Sequence, residues 1–325
     1  AGVEVDYISA PREINMRVPD AVIKCVGFVS PFMGDTVALE YGGTAFIVAI
    51  RMDEKHSFAH LVTAKHVADA IDPGEAVIAM NAKDGAPRFL RTGSQKWFFH
   101  PTEPDSVDAA VIPFGSPRFS EYDINSIEER SFVNDEKIAE YGIGIGDEIF
   151  LTGLFTRFFG HTHLIPIVRT GNIAMLPRDR VPVKDFGLIE AYLAEGRSIG
   201  GLSGSPVFVR NTVSLPEGRD QKGKPITLSG LGPIHFLGLM HGHWDLPASF
   251  SPTEQAEAVN MGISIVVPAK KILEVLYHPE LVAMRKEHLE KGKSANLPTS
   301  DSVVAKPFTK EEFEVTLKKV SRKMT

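Results

Sequence analysis

The sequence predicts an all-β protein built as two β-barrels, and three observations lead there. Short β-branched and aromatic runs, set off by Gly, Pro, Asn and Asp, recur from about residue 21 to residue 210. The runs fall into two clusters of similar size that divide near residue 130. The strand–helix alternation that a parallel sheet requires is missing.

Element by element, the first cluster holds the apolar run 21–29, then 44–50, 60–64, 75–80 and 109–114. Residues 115–140 change character: charged, containing Ser and Glu, with Pro117 near the start, they read as a connector carrying one short helix. Strands resume at 147–153. They continue at 166–170 and 171–176, with Thr170-Gly171-Asn172-Ile173 read as a turn. The runs 206–209, 236–240 and 261–267 complete the second cluster.

Helix is expected over 269–289, where Ile272, Leu273, Val275 and Leu276 form an apolar stripe that Pro279 kinks or restarts. Residues 291–308 read as a linker. Thr309-Lys310-Glu311-Glu312 then forms a capping box ahead of Phe313, Val315, Leu317 and Val320. The expected organisation is an N-terminal arm (1–20), a first barrel with connector (21–130), a second barrel with helix (131–290) and a linker with short helical tail (291–325). The tail helix 309–323 is expected to be solvated, or to serve as a docking element for a partner.

The 325 residues suffice for one large or two modest domains with a substantial core. No apolar run approaches the roughly 18 residues that a membrane span needs. The net charge of −6 lacks the basic footprint of a nucleic-acid binder. Cys25 is the only cysteine, so no intramolecular disulfide is possible, and it reads as a buried structural thiol. A cytoplasmic, reducing compartment is therefore expected, although the chain begins with Ala1 and a removed leader leaves that open.

Three segments carry the chemistry. Leu61-Val62-Thr63-Ala64-Lys65-His66-Val67 runs a strand into a histidine. Val107-Asp108-Ala109-Ala110-Val111-Ile112 opens a buried strand with an acid, and Gly200-Gly201-Leu202-Ser203-Gly204-Ser205-Pro206 sets a serine in a glycine-rich turn. A serine hydroxyl is a poor nucleophile until an imidazole takes its proton. The imidazole in turn needs a carboxylate to fix its tautomer and stabilise its cation. An oxyanion hole needs two backbone N–H groups aimed at one spot, and Gly201 and Ser203 are placed to supply them. Asp105 is a rival acid, but it follows Pro104 in a polar loop, whereas Asp108 abuts the buried strand.

These blocks resemble the three signatures of trypsin-like serine proteases: Thr-Ala-Lys-His-Val around His66, Asp-Ala-Ala-Val at Asp108 and Gly-Leu-Ser-Gly-Ser-Pro around Ser203. The order His, Asp, Ser is that of this family and not of subtilisin or the α/β-hydrolases. The steps of 42 and 95 residues are similar to the family's, and the likeness covers about residues 20–275. It implies two six-stranded antiparallel Greek-key barrels in the chymotrypsin manner, with the active site between them. It also implies endopeptidase activity through an acyl-enzyme on protein or peptide substrates, without cofactor or metal. Leu239-Met240-His241-Gly242 resembles the strand that binds substrate backbone, and the segment around Gly262 resembles the far wall of the specificity pocket. Arg197 lies six residues before Ser203, where the family often has the pocket floor; a cation there would favour acidic side chains.

The absence of disulfides and the turns at Gly146 and Gly171 bring the likeness closer to the bacterial high-temperature-requirement branch. Departures are Ser205 in place of the usual glycine, Lys65 before the histidine, no N-terminal activation motif and no PDZ domain within 291–325. An inactive or latent protease-fold binding module is the alternative from another class. An α/β-hydrolase using Ser203, Asp245 and His278 has the wrong turn motif around its serine. The His161/His163 and His241/His243 pairs lack the further ligands a zinc site needs. Tyr141–Gly146 precedes a strand instead of opening a helix, so its glycines do not form a phosphate loop.

Overall fold

The structure, a computed structural model, describes residues 18–33, 36–37, 39, 42–54, 56–71, 76–93, 95–115, 119–160, 162–196, 201–212, 218–219, 225–226, 231–245 and 260–292. The Val-, Ile- and Phe-rich runs become strands, as side chains branched at Cβ or carrying rings fit a pleated, half-buried surface. The tail helix expected at 309–323 lies outside the described residues.

In chain order the first half contains α1 (Asp20–Ile23), β1 (Val26–Met33), β2 (Thr36–Val37), β3 (Gly43–Arg51), β4 (Ser57–Thr63), α2 (Lys65–Asp69), β5 (Ala76–Asn81), β6 (Pro87–Arg91), β7 (Ala110–Pro113) and β8 (Ile127–Glu128). These strands form one sheet in the order β6-β5-β1-β3-β4-β7, with β2 added to β1 and β8 to β3. The core of this half is therefore the expected six-stranded path, with two short strands added. The β3–β8 pair is parallel, a departure from a purely antiparallel barrel. Its cause is local: β1 pairs with β3 only from Gly43 to Phe46, so β8 supplies the partner for Val48 and Ala49.

The connector carries α3 (Asp135–Tyr141), whose first turn is capped by Asn134 accepting the Lys137 N–H at 2.9 Å. The second half follows with β9 (Glu148–Gly153), β10 (Ile167–Met175), β11 (Arg180–Val183), β12 (Gly187–Glu190), β13 (Tyr192–Glu195), β14 (Pro206–Thr212), β15 (Gly218–Arg219), β16 (Pro225–Ile226), β17 (Leu231–Asp245) and β18 (Asn260–Pro268). Six of these close into a barrel in the order β10-β13-β18-β17-β14-β9, and its ladders are antiparallel. One expectation is corrected here. Thr170-Gly171-Asn172-Ile173 is no turn but the middle of β10, which pairs with β9 from Ile167 to Asn172 and with β13 from Asn172. Both edges of the strand are needed to close the barrel, and this holds the chain extended through Gly171.

The C-terminal apolar stripe folds as α4 (Ala269–Leu276), and Pro279 restarts the chain as α5 (Pro279–Gly292), as the sequence predicts. Ile272, Val275 and Leu276 of α4 are fully buried. Arg285 of α5 donates to the Leu276 carbonyl (2.9 Å) and to His60 Nε2 (2.9 Å), so the helix is tied to β4. None of the described helices is long and apolar enough to cross a membrane.

Phenylalanines join the two sheets. Phe46 of β3 packs at 5.3 Å on Phe236 of β17, which also meets Phe132 at 4.7 Å and Phe208 of β14 at 5.8 Å. Tilted and edge-on rings at these separations bury large apolar areas without voids. Packing of this kind holds the two sheets together.

Candidate active site

His66 is the second residue of α2, directly after β4 brings the chain in from the sheet. No side chain of the local sequence caps α2. Instead Asp108, just ahead of β7, reaches across and accepts the His66 backbone N–H on Oδ1 at 2.9 Å. This satisfies one of the N–H groups that every helix start leaves open. Its other oxygen, Oδ2, lies 2.8 Å from His66 Nδ1. The β4–β7 ladder, with Thr63 opposite Ala110, sets the register that makes this meeting possible.

Asp108 is completely buried. Burial alone would raise its carboxyl, but hydrogen bonds from His241 and His66 and the electrostatic pull of both rings outweigh it. The net effect holds the group well below the usual carboxylate range. An ionised carboxylate only accepts, so the proton between Asp108 and His66 sits on Nδ1. That tautomer leaves Nε2 of His66 free to act as a base.

Ser203 sits in a turn that the other half of the molecule grips. Thr44 of β3 donates its backbone N–H to the Ser203 carbonyl (2.9 Å) and its hydroxyl to the Gly201 carbonyl (2.8 Å). The Ser205 N–H closes onto the Leu202 carbonyl at 2.9 Å, and the Gly204 N–H reaches Met240 of β17 at 2.8 Å. Leu202 is fully buried and anchors the turn in the second barrel's core. Gly201 has φ +93° and Gly204 φ +84°, and a Cβ on Gly204 would stand 2.1 Å from the Thr44 carbonyl oxygen. Only glycine fits there. Ser205, the departure from the usual glycine, is buried with its Oγ 2.0 Å from where a Cβ on Gly153 would be.

The Ser203 hydroxyl donates to the backbone carbonyl of His241 at 3.1 Å. The His241 side chain was missed as a partner of the acid by sequence reasoning, which assigned its strand to substrate. Its Nδ1 lies 2.5 Å from Asp108 Oδ2, the same oxygen that His66 engages. The two imidazoles meet edge to face with centroids 5.3 Å apart. A β-bulge between Met240 and Gly242 in the β17–β18 ladder re-aims this position inward. The bulge has no signature in the residue pattern, so His241 read only as part of a substrate-binding strand.

The other expected site residues fall as follows. Met240 is buried in the second core, and Gly242 pairs with Ile265 of β18. Gly262, at φ +78°, accepts the Gly196 N–H at 2.8 Å, linking β18 to the chain leading toward Ser203. Arg197, His161 and the side chain of Asp245 lie outside the described residues.

Among the described residues, two side-chain groups have the spacing to hold a metal: His66, Asp108 and His241, and a second set of His100, Glu103 and Glu274. In the first, N–O separations of 2.5 and 2.8 Å are those of proton-bridged contacts. In the second, His100 Nδ1 accepts the Glu103 N–H (3.0 Å) and its Nε2 meets Glu274 (2.5 Å). Lys271 there brings its ammonium within 2.6 Å of Glu103, so a cation is already supplied.

No protein-family model and no curated protein matches the chain. Among solved structures, the MamO protease domain from Magnetospirillum magneticum, in its apo form, aligns with a TM-score of 0.46 and 13% identity over 78% of this chain and 96% of that one. Deg5 aligns with a TM-score of 0.42 and 15% identity, over 78% of this chain and 88% of the other.

Proposed function

We propose that the protein is a serine endopeptidase, with Ser203 as nucleophile, His66 as general base and Asp108 as the group that orients it. The observation that carries this reading is the buried Asp108 carboxylate 2.8 Å from His66 Nδ1 and 2.5 Å from Nδ1 of His241, whose backbone carbonyl accepts the Ser203 hydroxyl. Ser203 Oγ attacks the scissile carbonyl while His66 Nε2 takes its proton. The resulting imidazolium, held by Asp108, returns a proton to the leaving amine, and water then repeats the sequence on the acyl-enzyme. The amides of Gly201 and Ser203 are the proposed oxyanion donors. The Leu202 carbonyl is held by the Ser205 N–H, so across that trans peptide the Ser203 N–H points the opposite way. Met240, His241, Gly242 and Gly262 are the proposed backbone-binding edge and pocket wall, and protein or peptide the proposed substrate.

One observation favours a second reading, a protease fold that rests in a latent state or works as a binding module. The Ser203 hydroxyl spends its proton on the His241 carbonyl and not on His66. A serine-directed fluorophosphonate probe separates the two. Stoichiometric labelling that Ser203→Ala abolishes, together with a fall in peptide hydrolysis on the order of 10⁶-fold, supports the enzyme. Ser203→Ala cleaving peptides as fast as the unaltered protein refutes it. Absent labelling of a folded wild type leaves the binding module as the better account.

A further inference from the structure

We propose that His241 is a positioning residue for the reaction: a second imidazole that fixes the Asp108 carboxylate and, through it, the orientation of His66. The inference deepens the peptidase reading and rests on it. Three independent contacts place the ring. Its Nδ1 lies 2.5 Å from Asp108 Oδ2, which also receives His66 Nδ1 at 2.8 Å. Its face or edge meets His66 at 5.3 Å on one side. On the other, Phe186 stands edge to face at 5.1 Å.

Phe186 comes from the tip of the β11–β12 hairpin, beside Asp185, which is the one non-glycine residue with positive φ (+66°) among the described residues. A hairpin of this kind needs something to hold it. Arg180 at its start pairs with Glu103 at 2.9 Å, and Glu190 at its end pairs with Lys270 of α4. The clipped hairpin thus presses Phe186 on His241, and His241 presses its N–H on Asp108.

The physical logic is that of a shared acceptor. A carboxylate buried this deeply is shut off from bulk solvent, so its rotation about the Cβ–Cγ bond is set by the groups that donate to it. The His66 backbone N–H fixes Oδ1. The two Nδ1–H groups converge on Oδ2, and without His241 that oxygen keeps a single donor, the very ring it is meant to steer. His241 also pins the strand carbonyl that holds the Ser203 hydroxyl, since the same residue supplies both contacts. Its side chain therefore couples the acid to the nucleophile's resting position, whatever its backbone does for a substrate.

The test uses His241→Leu, which keeps bulk but removes the donor, and His241→Asn, whose Nδ2 occupies the place of Nδ1. Peptide hydrolysis is measured for both. Proton NMR in water, with ¹⁵N-labelled histidine, counts strongly downfield imidazole N–H signals. Loss of one hydrogen bond to a buried charge predicts a drop in kcat of roughly 10- to 100-fold for His241→Leu. KM should stay within about twofold, as is expected for a group acting through the catalytic machinery. His241→Asn should recover most of the loss, and one downfield signal should vanish in either His241 variant and a different one in His66→Ala, while the signal of His100, which meets Glu274 at 2.5 Å, stays in all of them. A kcat for His241→Leu within about twofold of wild type, or no downfield signal lost when His241 is replaced, overturns the proposal. If peptide hydrolysis is absent or insensitive to Ser203→Ala, the peptidase reading fails, while the signal count still decides whether His241 shares the carboxylate.

Discussion

Thr44 and Gly201, 157 positions apart, are joined by a 2.8 Å hydrogen bond from the threonine hydroxyl to the glycine carbonyl. The same hydroxyl accepts the Leu154 N–H at 2.8 Å, so one oxygen from the first sheet ties down both the Ser203 turn and the end of β9. Thr44→Val keeps the shape and removes both bonds. Each buried group left unpaired costs about 1–3 kcal/mol. The expected result is a lower urea midpoint, together with slower fluorophosphonate labelling of Ser203 than in the wild type. Unchanged labelling kinetics would show that the turn holds its shape without Thr44.

Gly204→Ala tests the turn from the other side. The substitution forces an alanine to φ +84° and drives its Cβ to 2.1 Å from the Thr44 carbonyl oxygen. Backbone strain and the clash together should cost at least about 3 kcal/mol and abolish probe labelling. Differential scanning fluorimetry and labelling read the two effects separately. A variant with wild-type Tm would contradict the packing described for this turn.

Acid should loosen the attachment of the C-terminal helices. Burial, reinforced by the Arg285 guanidinium, lowers the His60 imidazole from 6.5 to about 4. Because the unfolded chain takes up this proton first, the contribution is fully present above pH 6.5 and is lost as pH falls toward about 4. Over that window it amounts to about 3 kcal/mol. Urea midpoints measured across the window should therefore fall more steeply for wild type than for His60→Gln, whose side chain does not titrate. Parallel curves for the two proteins would refute the assignment.

The residues of the proposed triad were legible because each stands where a pattern breaks. An imidazole ends an apolar strand, an acid opens one, and a serine interrupts a row of glycines. Local sequence holds that information. His241 was not legible as a partner of Asp108 because a bulge in a ladder with β18 aims it, and β18 lies some twenty residues downstream. Thr44 was hidden inside an apolar run, where a β-branched residue reads as ordinary strand filling. The hairpin carrying Phe186 went unread because its charged, Pro-containing strands look like loop. Gly171 misled in the opposite direction, since a glycine beside an asparagine signals a turn until barrel closure overrides it. In each case long-range pairing decided what local propensity left open.

Cys25 is 1% exposed, its thiol pushed up by burial and directed at the Val22 carbonyl at 3.0 Å. Sealed in this way, it gives alkylating and oxidising reagents no foothold on the native chain. Leu188→Cys, exposed on the hairpin behind Phe186, would then be the sole attachment point for a dye placed beside the His66–Asp108–His241 cluster.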